Sequence, residues 1–183
     1  MSMEFGYKAY MLVMALFTLP IFITPFLAAQ QNPAAGTLYW LYSLTCHQFV
    51  SRSICYFPAS GISDCSDVQA HYRAYEVEKN SLVGYPFPVC ARDVGIYAAA
   101  LLSGMLLFFL KKTDVNMVPN PLWFIIALVP IGLDGGTQLM GLRESTNFLR
   151  LLTGAIAGFA FSFYVVPLLN RAFPNIKKKE GLL

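Results

Sequence analysis

Apolar residues gather into four long runs, separated by one long mixed segment and two short polar links. The first run is Ala9 to Ala29, with prolines at 20 and 25. The second is Val94 to Leu110. The third starts at Pro121, is apolar to about Leu133 and reaches Gly141 only through a polar stretch. The fourth is apolar from Phe148 to Leu169, apart from Arg150 and a few small polar residues. A bilayer-spanning helix needs about 20 apolar residues, in a range of roughly 17–25. The pattern therefore predicts an all-α integral membrane protein with about four transmembrane helices and a long, partly helical outer segment between the first and second. The expected spans are 9–29, 94–110, 121–141 and 147–169, within a single membrane domain of 183 residues. The outer segment is 30–93 and the basic tail is 170–183.

Composition agrees with a membrane origin. Hydrophobic residues make up 56% of the chain and charged residues only 13%, a balance far from that of a soluble domain. A cleaved signal peptide is the rival reading of the first run. Its apolar core exceeds the usual length, and Lys8 is balanced by Glu4, so a retained helix is preferred. Lys8, Lys111, Lys112, Arg171 and Lys177 to Lys179 fall on one side of a four-span chain. The charge rule makes that side cytoplasmic, with both termini inside the cell and the long segment outside. Arg52, Arg73, Lys79 and Arg92 oppose the rule, but long translocated segments carry little weight in it. The net charge of +3 comes mostly from the terminal lysines, which suit anionic headgroups. No interleaving of basic and aromatic residues points to nucleic acid.

The outer segment is mixed. TLYWLYSLTCHQFVSRSICYF (Thr37 to Phe57) reads as a short amphipathic or re-entrant helix at the interface, where Tyr39, Trp40 and Tyr42 are at home. Pro58 to Asp67 reads as turns, and Val68 to Asn80 as a polar helix. Gly84 to Asp93 is held extended by its prolines. All four cysteines lie in this segment. An even number on an exported stretch suggests disulfides, and Cys55 with Cys65 is the favoured pair. Cys46, His47, Cys90 and Asp93 form a second set whose thiolates, imidazole and carboxylate could hold zinc. The plainer alternative leaves His47 hydrogen-bonded to a neighbour.

Polar residues also invade the third and fourth runs. Asp134 and Gln138 are four apart and share a helix face. Arg143, Asn147, Arg150, Gly154 and Gly158 continue at spacings of three or four. The stripe is expected to face span three, with Asp134 and Gln138 opposite Arg150 and Asn147. Gly154 and Gly158 form a GxxxG pair suited to close helix contact, within the chain or in an oligomer. Ionisable groups at membrane depth face the bundle interior, pair with one another and mark sites. A buried Asp134–Arg150 ion pair is the structural alternative. It leaves Arg92, Arg143, Glu144 and Asn147 unexplained, whereas guanidinium forks suit phosphate or carboxylate. Asp134-Gly135-Gly136 also leaves backbone open to a ligand.

CHQ at Cys46, PVCARDVGIY from Pro88 to Tyr97, DGGTQ from Asp134 and RESTNFLRLLTG from Arg143 resemble small prokaryotic multi-pass membrane proteins. These are grouped as domain-of-unknown-function family two-thousand-eighty-five. The resemblance implies a polar site built from Cys46, His47, Cys90, Arg92, Asp134, Gln138, Arg143, Asn147 and Arg150. In that family a second cysteine follows CAR, where this chain has Asp93.

Three functional readings follow. The first is an enzyme in the membrane of the cell, acting on an anionic lipid or prenyl-type substrate at the outer interface. Arg92, Arg143 and Arg150 would hold the head, with Gln138 and Asn147 orienting it. Asp134, His47 or Glu144 would act as acid or base, with zinc as a candidate cofactor. The second is a binding or transport module for an ion, proton or small anion. The third is a structural subunit whose glycines pack a partner.

Overall fold

The structure is a computed structural model that describes residues 4–68 and 73–173. The terminal lysines at 177–179 lie outside the described residues. Four helices are long and apolar enough to cross a membrane: α1 (Phe5–Ala29), α3 (Ala91–Phe109), α4 (Pro121–Leu139) and α5 (Asn147–Ala172). A short helix, α2 (Ala34–Tyr42), follows α1. Pro20, Pro25, Pro130 and Pro167 all lie inside long helices. Pro130 does not break α4, which runs unbroken from Pro121 to Leu139.

The bundle centres on α3 and α5. Gly154 and Gly158 of α5 press on the backbone of α3, where an added Cβ would collide with the carbonyl oxygens of Arg92 and Ile96. Gly95 answers from α3 against the carbonyl of Leu151. The sequence pattern led us to expect this stripe to face span three. It faces span two instead, and the chain's own helix occupies the surface proposed for oligomer contact. Small residues let two backbones approach closely, and close packing replaces the hydrophobic drive that lipid removes. α1 lies across both helices. Tyr7 and Tyr10 donate to the carbonyls of Gly104 and Ala100, and the backbone N–H of Tyr7 donates to Asn170 Oδ1 at 3.0 Å. The beginning of α1 and the end of α5 are thus on one side. Ser162 and Ser103 bond at 2.8 Å in the buried middle of the bundle. α4 packs mainly on α5, and Asp134 is its one buried residue among those described.

The opposite side carries a four-stranded antiparallel sheet that the sequence pattern did not predict. Its order is β2-β1-β4-β3, with β1 (Ile54–Phe57), β2 (Gly61–Asp64), β3 (Val77–Lys79) and β4 (Leu82–Pro86). Pro58 to Asp67, expected as turns, supplies β2. Val68 to Asn80, expected as a polar helix, supplies β3, while Gln69 to Tyr72 lie outside the described residues. Lys79 pairs with Leu82 across the two-residue turn Asn80-Ser81, and both turn residues have positive φ. Such a turn matches the strand twist and zips a hairpin shut. Cys55 and Cys65 are joined as a disulfide across the β1–β2 hairpin.

α2 doubles back beside α1. The Tyr42 hydroxyl donates to the carbonyl of Phe17 at 2.5 Å. Phe17 lies about 18 Å along α1 from its end at Ala29, at 1.5 Å per residue. Tyr42 packs with Ile21, Phe87, Val89 and Val94. Of the stretch expected to be helical, Thr37 to Tyr42 lies in α2, whereas Ile54 to Phe57 is a strand.

Candidate functional site

Beside the end of α2 and the start of α3 is a cavity of about 170 Å³. Its walls come from three places: the loop Thr45 to Phe49 with Arg52, the helix start Cys90, Arg92 and Asp93, and the side chains of Gln138 and Arg150. Gln48 fixes the loop. Its backbone has positive φ, and its buried amide donates to the carbonyls of Tyr39 at 2.6 Å and Pro88 at 3.0 Å. This strut brings Cys46 against Cys90.

Cys46, Cys90 and Asp93 have their ligand atoms within 4.8 Å of one another. The Cys90 N–H donates to Cys46 Sγ at 3.3 Å, and Cys90 Sγ donates to Asp93 Oδ2 at 3.2 Å. Cys90 is the residue just before the first turn of α3, where the helix dipole favours negative charge. The hydrogen bond from Cys90 holds the Cys46 thiol below the ordinary thiol range. The same bond, burial and the Asp93 carboxylate push the Cys90 thiol up. His47 lines the cavity but stands outside this trio, exposed and stacked on Phe49 with ring centroids 6.2 Å apart.

Three guanidinium groups border the cavity. Arg52 lies over the Phe49 ring at 5.2 Å. Arg92 reaches away to Asp134 at 2.5 Å, and its buried Nε has no partner. Arg150, only 4% exposed, donates to Asn147 Oδ1 at 2.6 Å and meets Glu144 at 3.7 Å. The one carboxylate among the lining residues is Asp93. The lining therefore carries three guanidinium groups to one carboxylate, with Arg92 and Arg150 also paired to Asp134 and Glu144 outside it.

The rest of the sequence-derived stripe divides differently from the expected arrangement. Asp134 faces Arg92 and Arg143 at 2.5 and 2.8 Å, not Arg150. It does not line the cavity. Arg143 also donates to Thr137 Oγ1 at 3.0 Å, and Gln138 donates to Glu144 at 3.1 Å. Asn147 turns its amide to the carbonyls of Ser51 and Ser53 and to Asp64, 2.6 Å away. It joins α5 to the sheet. Sequence reasoning left Arg52, Gln48 and Phe49 out of the site. Their signal was proximity, since all three follow Cys46 within six residues and a turn brings them to one wall.

Fold and site together define a multi-pass membrane protein of four long helices, with a small sheet and an arginine-lined cavity on one side. Residues 79–164 match the family described as predicted membrane protein, DUF2085. A protein of Methanocaldococcus jannaschii, described as uncharacterized, is 36% identical over 181 residues, covering 94% of this chain and 97% of its own. A second, from Methanothermobacter thermautotrophicus, is 39% identical over 84 residues, covering 45% of this chain and 72% of its own. The chain belongs to the DUF2085 family of predicted membrane proteins. No solved structure matches it.

Proposed function

We propose that the cavity receives the anionic head of a lipid or prenyl-type molecule at the outer face of the cell membrane. The observation that carries this reading is the wall itself: Arg52, Arg92 and Arg150 against the single carboxylate of Asp93. Guanidinium groups in a half-dry site bind phosphate or carboxylate through paired, charge-assisted hydrogen bonds. The cavity has room for a compact head and none for an acyl tail. The tail would leave past Phe49 and lie along α2 and its following turn, where Trp40 is 62% and Leu44 69% exposed. Trp40 suits the interface, where aromatic side chains anchor membrane proteins.

Asp134 is poorly suited to the acid-base role, being shared between two guanidinium groups away from the cavity. His47 is better suited, because its ring is exposed at the wall, stacked on Phe49. We place the sheet outside the cell, following the lysines at the opposite ends of the helices.

The test is binding of a short-chain phosphatidic acid by the purified protein in detergent, followed through tryptophan fluorescence. Hydrogen bonds to charged groups contribute roughly 1.5–3 kcal/mol, so Arg52→Gln should weaken binding about tenfold or more. A neutral diacylglycerol of the same tail should not bind. Equal binding of the two lipids, or an unchanged affinity in Arg52→Gln, would sink the reading. Orientation is checked separately by a membrane-impermeant maleimide added to intact cells after mild reduction. Labelling of Cys65 places the sheet outside, and labelling only after lysis reverses the assignment.

A further inference from the structure

We infer that Cys46, Cys90 and Asp93 form a three-ligand site for a thiophilic divalent ion of the zinc class, with its fourth position open to the cavity. This goes beyond the anion reading and does not depend on it.

Two features separate this cysteine pair from the other. Cys55 and Cys65 are joined in a hairpin, while Cys46 and Cys90 are free thiols brought together by the Gln48 strut. Beside them, at the first turn of α3, stands a carboxylate whose oxygen is already 3.2 Å from the Cys90 sulfur. Two sulfurs and one oxygen within 4.8 Å can all reach a single ion. Thiolates select zinc-like ions over magnesium or calcium.

The surroundings suit the charge. Two thiolates and a carboxylate around a divalent ion leave one net negative charge. The start of α3 and the Arg52 guanidinium offset it, beside Arg92 and Arg150, which are also paired to Asp134 and Glu144. All three donors are half-buried and all three line the cavity. Three protein ligands with an open fourth position are the pattern of reactive zinc, whereas closed structural sites carry four. Water or an oxygen of a bound anion would fill the fourth place. Binding displaces the two thiol protons to solvent.

The test uses the full-length protein in detergent, reduced and then titrated with cobalt(II). Wild type should take up one equivalent per chain, with thiolate-to-cobalt charge-transfer absorption that zinc abolishes. Cys46→Ser and Cys90→Ser should each lose about half of that absorption or all binding. Asp93→Asn should keep the sulfur bands and weaken affinity. Arg52→Gln, which removes no metal ligand, should keep the full spectrum at saturating cobalt even where phosphatidic acid binding falls, which separates this site from the anion reading. The inference is overturned if wild type shows no thiolate absorption while both thiols are reduced. It is equally overturned if peptide mapping of unreduced, freshly prepared protein finds Cys46 joined to Cys90. Both decisive outcomes use wild type, so a variant that fails to fold does not blunt the test.

Discussion

Arg92, in the first turn of α3, donates to Asp134, in the second half of α4, at 2.5 Å. The carboxylate is 2% exposed, and its other oxygen takes Arg143 at 2.8 Å. A helix whose remaining surface is largely uncovered is thus tied to the bundle by one buried acid.

Removing that acid should loosen α4. Breaking a buried ion pair by deleting one partner costs roughly 3–5 kcal/mol, because it strands the other charge. Asp134→Ala should lower the thermal unfolding midpoint in detergent clearly, and Asp134→Asn should lower it less. The double variant Asp134→Ala with Arg92→Ala should be less damaged than the sum of the two single ones. Strict additivity would mean that the pair is not coupled.

Asn147 predicts a different failure. Its amide reaches Ser51, Ser53 and Asp64, and its oxygen accepts from Arg150. Asn147→Asp puts a second carboxylate beside Asp64 and removes the donors. The sheet should come away from α5 while the helices stay folded. Limited proteolysis should then cut within residues 58–68 faster than in wild type, with helical circular dichroism unchanged. Equal cutting rates would refute this.

The contact of Gly154 with the Arg92 carbonyl gives the harshest expectation. Even a methyl group has no room there. Overpacking costs about 1–3 kcal/mol when neighbours can shift, and more when the obstacle is backbone. Gly154→Leu should abolish accumulation of folded protein, measured by fluorescence-detected size exclusion. Gly136→Leu, on open α4 surface, should not.

Alkali should act through Tyr42. Burial pushes its hydroxyl up from 10.0 to about 12. A raised value means that the folded protein favours the neutral phenol. That contribution is complete below pH 10 and disappears as pH rises toward 12. Tyr42→Phe should flatten part of the stability loss between these limits, at a cost of about 1 kcal/mol near neutrality from the hydrogen bond to Phe17. An identical pH slope in the variant would remove Tyr42 from the account.

The four spans were legible because apolar length is a strong signal and survives a few polar residues. The sheet was not. VEKNSLVGYP carries a short alternation around Asn80-Ser81, but the turn lacks the Asn-Gly pair that usually announces such hairpins. The polar run before it has helical spacing, and only the pairing of Val77 to Lys79 with Leu82 to Gly84 overrides it. The polar stripe on α4 and α5 was visible by periodicity, yet its pairing was misassigned. Spacing places residues on a face without saying which neighbour that face meets. Arg92 took Asp134 because the glycines drew α5 onto α3, leaving Arg150 turned toward Asn147 and the cavity.

The Arg92–Asp134 tie also sets an order of assembly. The two residues are 42 positions apart, so α3 reaches the bilayer before its counter-charge has followed. A long cationic side chain at the head of a helix can reach the headgroups while its counter-charge is missing. Only when α4 arrives can the guanidinium exchange lipid phosphate for carboxylate. The α3–α4 hairpin thus holds both members of this ion pair, and α5 adds no charge to it.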